Sequence, residues 1–395
     1  MTVENRSNTR IPILHLMNGI DDCSITSMVL QQLKDFGDAR YEWHVAGLSG
    51  VTVRDPFEQL NARVVDFAAE STGNWSLLRR LKSYVREHQI ELVHSHTPRT
   101  TVAAGFALGF RRNARLLTTK HLHAHATDRS VNGWIFSLTD RVASYLPDKI
   151  VAVSRDVGTS LQSLPGINHE KITVIQNAVD QSSYAMPDSR DACRVEFGIN
   201  ETDIVLGFAG RLTNVKRLDL MLMAFQLISK DFPQCRLLLA GAGEEEVALR
   251  ELARDLGVDE RVIWAGHRHD MPRLYAAMDV YLQSSDNEGL SLSLLQAMIA
   301  GRPVIATDVG GTREVVSEET GVLIRPGSAE VLAHAVVGLL NDSEKTQRLV
   351  GNARKFVRDE FCVSRQMRKY KEVYDGLLGG AGIKTPVLAQ ASSGA

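Results

Sequence analysis

"DIVLGFAGRLTNVKRLDLMLMAFQLI", Asp203 to Ile228, reads in three steps. An apolar run ends at Gly210, a turn follows that holds Arg211 and Lys216, and then Leu218, Met221, Phe225 and Ile228 recur at helical spacing. A buried strand leading into an amphipathic helix is half of a βαβ unit and predicts a parallel sheet. The same alternation runs outward in both directions. Earlier strand candidates are "PILHLM", "YEWHVAGL", "RVVDF", "ELVHSH", "ARLLTTKH", "DKIVAVS" and "KITVIQNAV"; later ones are "CRLLLAGAG", "RVIWAGH", "DVYLQSS", "RPVIATDVGG" and "GVLIRPG". The expected class is α/β, with two Rossmann-like doubly wound domains and ligands at the carboxyl edges of their strands.

At 395 residues and 44% apolar content the chain can bury two cores. A formal net charge of -2 gives no field that argues for nucleic acid, so any anion site is local. Cys23, Cys193, Cys235 and Cys362 stand apart, with neither a metal-knuckle spacing nor a disulfide framework, which fits a reducing, cytoplasmic setting. The apolar run in "MTVENRSNTRIPILHLM" is too short for a signal-peptide core or a membrane span. "SLLRRLKSYVR" (Ser76 to Arg86) and "GFALGFRRNAR" (Gly105 to Arg115) mix apolar and basic residues in the way that peripheral contact with anionic lipid requires. Asp180 to Asp203, rich in Ser and Asp, reads as a linker with a short helix, and "GAGIKTPVLAQASSGA" as a disordered tail.

Three turns carry candidate chemistry. Arg211 and Lys216, beside a helix start, suit a diphosphate, because free N–H groups and the helix dipole act together with the two cations; a solvated turn is the plain alternative. In "SSDNEGLSLSLLQAMIAG", Glu288 precedes a helix, Gly289 permits close backbone approach, and the N–H groups of Leu290, Ser291 and Leu292 are free at the first turn. Leu292, Leu295 and Ile299 face a core, so Gln296 projects elsewhere. Glu288 otherwise compensates the helix dipole, and Gln296 is otherwise a surface amide. "ATDVGGTREVV" adds Gly310 and Gly311, both able to take positive φ, with Glu314 opening the next helix. Gly241 and Gly243 in "GAGEEEVALR" lack the third glycine of a dinucleotide fingerprint and read as a tight turn.

These segments, with "MPRLYAAMDVYLQSS" and "GVLIRPGSAEVLAHAVVGLLND", resemble the C-terminal half of the retaining GT-B glycosyltransferases of the group 1 (family four) type. The resemblance spans about Asp203 to Leu378 and extends more loosely through "VHSHTPR", "TTKHLH", "IVAVSRDV" and "VIQNAVD". It implies an acceptor-binding domain over 1–180, a linker over 181–202, a nucleotide-sugar domain over 203–360, a helix over 361–378 that crosses back, and a disordered tail over 379–395. It further implies a UDP- or GDP-linked sugar as donor, with no metal and no other cofactor. The resemblance also implies an acceptor that is a glycan, a lipid-linked molecule or a small molecule, met in the cleft between the domains, and polysaccharide or glycolipid synthesis of the kind that such enzymes often carry out at the cytoplasmic face of a membrane. Arg211 and Lys216 would then grip the diphosphate, Glu288 the donor sugar and Gln296 the ribose. A sugar-nucleotide epimerase, a phosphorylase or a catalytically silent nucleotide-sugar-binding subunit are the rivals.

The histidines divide the acceptor side. The resemblance places His121 beside the donor sugar and the "HSH" turn, with His96, near the acceptor. His123 is able to exchange roles with His121. Alternate spacing of His121, His123 and His125 would permit a metal site if the strand continued, although histidines in such turns are more often polar rim residues. The family's first turn commonly holds a glycine pair that approaches phosphate. Here "MNGIDDCSITS" has Gly19 alone, followed by Asp21 and Asp22, which repel phosphate, so this loop either sits further from it or recognises acceptor hydroxyls.

Overall fold

The computed structural model describes residues 10–21, 23–36, 40–67, 75–109, 114–122, 131–184 and 189–379. All thirteen strand candidates form strands. The first seven are β1 (Ile11–Met17), β2 (Tyr41–Gly47), β3 (Arg63–Asp66), β4 (Leu92–Ser95), β5 (Arg115–Lys120), β6 (Lys149–Ala152) and β7 (Ile172–Val174). They make one sheet in the order β3-β2-β1-β4-β5-β6-β7. The other six are β8 (Ile204–Ala209), β9 (Cys235–Ala240), β10 (Val262–Gly266), β11 (Val280–Gln283), β12 (Val304–Thr307) and β13 (Val322–Ile324), in the order β10-β9-β8-β11-β12-β13. The strand pairings in both sheets are parallel. Helices cover both faces of each sheet, which is why the strands read as unbroken apolar runs. Strand order reverses between β1 and β4 and again between β8 and β11, so each sheet has a crevice at its switch point, and this is where doubly wound folds hold ligands.

The cores show how the halves are joined. One face of the first sheet packs Ile13, Val45 and Leu92 against Met367, Tyr370, Val373 and Tyr374 of the helix Val363–Leu377. The chain crosses between the sheets at Val179 and returns at Cys362; the two form a parallel bridge, and the Val179 N–H donates to the Phe361 carbonyl at 3.0 Å. A further core is continuous from Ile150, Val153 and Val157 to Leu290, Leu294 and Met298. In the segment read as a linker, the helix Ser189–Glu196 docks on the helix Met271–Ala277, where Arg190 donates to the Ala276 carbonyl at 2.8 Å. Apart from Gly379, the expected tail lies outside the described residues.

The apolar-basic segment Ser76–Arg86 lies on the helix Trp75–Glu87, whose Leu77, Leu81 and Val85 are buried in the core, while Trp75 is exposed. Further exposed apolar side chains lie on the helix Val131–Tyr145, where Ile135, Phe136, Leu138 and Val142 are exposed, and at Phe106 of the helix Pro98–Leu108. Part of Gly105–Arg115 falls outside the described residues.

Candidate functional site

The loop after β8 and the loop after β11 meet at the second switch point. Lys216 ends a 3-10 turn, Asn214–Lys216, and its Nζ lies 2.6 Å from Glu288 Oε1. The Ser285 hydroxyl donates to the same oxygen at 2.7 Å, and Glu288 is only 5% exposed. Backbone bonds lock the two loops: the Asp286 N–H donates to the Val215 carbonyl at 2.9 Å, and Ser284 Oγ to the Lys216 carbonyl at 2.8 Å. As expected, a turn holding Arg211 and Lys216 separates Gly210 from the helix Leu218–Asp231; the structure adds the 3-10 turn at its end. Arg211 lies open to solvent, its nearest carboxylate being Glu244 at 3.9 Å. Gly241 and Gly243 pack closely on the carbonyls of Gly210 and Leu212, in keeping with a tight turn.

Beyond Glu288, Gly289 faces the other domain. A Cβ there would collide with the His121 carbonyl oxygen, so this glycine lets the two sheets' loops close on each other. Leu290 is buried, and its carbonyl accepts from Asn177 Nδ2 of the first half at 2.7 Å. Ser291 caps the helix Leu292–Ile299, its hydroxyl accepting from the Leu294 N–H at 3.3 Å. That helix is buried more fully than a single stripe: Leu294, Ala297 and Met298 join Leu295 and Ile299, while Leu292 is half-buried. Gln296 is half-buried too, and its Oε1 accepts from the Tyr275 hydroxyl at 3.0 Å.

Two expectations for "VGGTREVV" change. Gly310 has φ +50°, but Gly311 has no positive φ; it is small because a Cβ would meet the Gly289 carbonyl and Ser154. Glu314 does not open a helix. It closes the 3-10 turn Gly310–Glu314 and accepts from the Asp156 N–H at 3.0 Å and Gln176 Nε2 at 2.7 Å, both in the first half.

At the first switch point the histidines of β4 and the turn after it are interior. His94 and His96 are buried beside His15 of β1. His15 Nδ1 lies 3.0 Å from His96 Nε2; His94 Nδ1 lies 2.8 Å from the Tyr374 hydroxyl, and His94 Nε2 2.8 Å from Thr119 Oγ1. Burial pulls the His15 imidazole down to about 3 and holds His94 and His96 well below the ordinary histidine value, so all three are neutral near pH 7. His121 follows β5, its ring 6.1 Å from that of His96. Its Nε2 is buried without a hydrogen-bond partner, and burial lowers its pKa to about 4. Gly19 is half-buried at the end of β1, where neighbouring Asn18 accepts from Arg99 at 3.2 Å. His123, His125 and Asp22 lie outside the described residues.

Sequence reasoning missed several participants. Lys120, next to His121, is buried on Asp140; burial lowers its pKa, against the opposing pull of the Asp140 carboxylate. His15 and Lys120 had a usable signal, a titratable residue within an apolar strand. Tyr374 had none, because its partners are far away in sequence, and for Glu314, expected at a helix start, nothing announced its partners in the first half. The His15, His94 and His96 nitrogens lie within 4.8 Å of one another, a group of three that metal chemistry uses. Here the His15 and His94 nitrogens bond to the neighbouring imidazole and hydroxyls, which a neutral network explains.

Comparison with known proteins bears on this geometry. Residues 189–356 match the family model "Glycosyl transferases group 1" and residues 30–183 the model "Glycosyltransferase Family 4". The chain is 27% identical over 308 residues to N-acetyl-alpha-D-glucosaminyl L-malate synthase of Bacillus anthracis, covering 77% of this chain and 79% of that one. It is 26% identical over 314 residues to D-inositol 3-phosphate glycosyltransferase of Mycobacteroides abscessus, covering 75% and 69%. Its fold is that of Anabaena HepE, solved in complex with UDP-glucose: TM-score 0.80, 22% identity, covering 93% of this chain and 100% of that chain.

Proposed function

The chain is a group 1 glycosyltransferase with a family 4 N-terminal domain, and we propose that it transfers a sugar from a nucleoside diphosphate to an acceptor hydroxyl with retention at the anomeric carbon. The observation that carries this is the Lys216–Glu288 pair at the β8/β11 switch point, facing His121 across Gly289. Breaking the glycosidic bond builds negative charge on the β-phosphate and positive charge on the ring. In this reading Arg211 and Lys216 stabilise the first, while Glu288 holds the sugar's hydroxyls. Leu290, Ser291, Leu292, Gly310 and Gly311 shape the donor pocket, and Gln296 reaches the ribose.

Retention fits a front-face attack in which the departing phosphate takes the acceptor's proton. Glu288, bound by Lys216 and Ser285, is a held carboxylate rather than a free nucleophile for a double displacement. No metal is needed where cations and N–H groups do the stabilising. The donor resembles that of the structural neighbour, a UDP sugar, with GDP sugars as the second class. Neutral histidines on the acceptor side accept or donate a hydrogen bond without drawing the leaving phosphate away.

The test is incubation of purified protein with UDP- and GDP-sugars and candidate acceptors, following nucleoside diphosphate release and the product's anomeric configuration by NMR. Retained configuration in an acceptor-dependent product is expected. An inverted product would end the front-face reading, an altered donor sugar without acceptor would point to an epimerase, and neither transfer nor hydrolysis would point to a silent subunit.

A further inference from the structure

Among the described residues, three that are not glycine have positive φ: Asn61, Gln89 and Arg217. Asn61 and Gln89 lie just after the helices Asp55–Glu58 and Trp75–Glu87, where chains ordinarily turn this way. Arg217 is different. It precedes a helix, with φ 50° and ψ 47°, in a region that long side chains avoid and glycine takes freely. Such strain in a non-glycine residue persists where surrounding contacts over-determine it, commonly at functional sites.

The contacts are specific. Arg217 Nε and Nη2 bond Asp219 at 3.0 and 2.9 Å, and Nη1 bonds Asp286 Oδ2 at 3.2 Å. Asp286 stands two residues before Glu288, and Arg217 follows Lys216 directly. The side chain therefore ties the loop that carries the cation to the loop that carries the carboxylate, beside the Val215 and Ser284 bonds already described. Only a guanidinium has the planar fork to hold both carboxylates at once. Two carboxylates already occupy that fork, so Arg217 is not poised as a phosphate ligand.

We propose that Arg217 is a positioning residue: through Asp286 it fixes the spacing of Lys216 and Glu288, and its strained backbone is tolerated for that reason. The inference rests on the donor-site reading above. Its test uses Arg217→Ala, Arg217→Gly and Asp286→Asn beside the wild type, measuring kcat, donor KM and melting temperature. Expected is a loss of about tenfold in kcat in all three variants, the scale of a small misplacement of reacting groups, with donor KM within about threefold of wild type. Arg217→Gly should melt above Arg217→Ala, because glycine takes the backbone without strain. Wild-type turnover in Arg217→Gly or Asp286→Asn would overturn the inference, and so would a loss confined to KM, which would make Arg217 a donor ligand. The wild type serves as the separate control: its failure to transfer or bind a nucleotide sugar would remove the donor-site reading itself.

Discussion

The two switch points are built from the same topology and opposite electrostatics. At β8/β11 a lysine and a glutamate meet at 2.6 Å, flanked by Arg217 and Asp286, and the charges stay near solvent or in close pairs. At β1/β4, three histidines, two tyrosines and Thr119 form a network in which every titratable group is neutral and buried. In the proposed reading, charge is needed at the end that holds and releases a diphosphate. It is a liability where an uncharged hydroxyl must approach, since a cation there would compete for the phosphate. The shared architecture sets where the residues stand, and their surroundings set what they are able to do.

The largest effect expected from this contrast is on acid stability. Burial lowers His15 to about 3 and His121 to about 4, against 6.5 when unfolded. Folded-state values below the unfolded one mean that unfolding takes up protons. The stabilisation is therefore complete above about pH 6.5 and is lost as pH falls toward 4. Each such histidine contributes about 1.4 kcal/mol per pH unit in that window, so these two together remove about 3 kcal/mol per unit. Urea unfolding at pH 7.5, 6.0 and 5.0 measures it. A flat profile would show that the histidines are not held neutral, and the contrast between the two ends would fail.

The second effect belongs to the charged end. Lys216→Ala removes the cation and leaves Glu288 with Ser285 alone, so turnover should drop about a hundredfold or more, the cost of one charge-stabilising donor. A melting curve close to wild type separates this from misfolding. Near-wild-type turnover with a confirmed donor would mean that Lys216 serves only to neutralise Glu288.

How much of this was legible follows from range. Every strand was readable, because a sheet covered on both faces writes its burial into consecutive residues. The placement of Arg211, Lys216 and Glu288 in turns after strands was readable, because the ends of the apolar runs mark the sheet edge. The pairing of Lys216 with Glu288, 72 positions apart, was not, nor was Tyr374 against His94 across 280. Local patterns carry no register between distant loops. Gly289 was legible as a close approach, but its neighbour in the other half, the His121 carbonyl, was not. Arg217 was hidden because a positive φ is ordinarily announced by glycine, and here it is not.

The smallest effect tests the edge of the charged end. Gln296 stands eight residues after Glu288, where a second carboxylate would complete a charged grip on the donor. Its Oε1 already accepts from the Tyr275 hydroxyl at 3.0 Å, a bond that a carboxylate keeps. A hydrogen bond to a charged group contributes about 1.5–3 kcal/mol and a neutral one about 0.5–1.5. Gln296→Glu should therefore tighten donor binding by about tenfold. Turnover should change little, because ribose lies away from the bond that breaks. Calorimetric titration of both proteins with the same nucleoside diphosphate decides the point. Equal affinities would confine Gln296 to its tyrosine partner and leave the grip on the donor to Lys216, Glu288 and the loops between them.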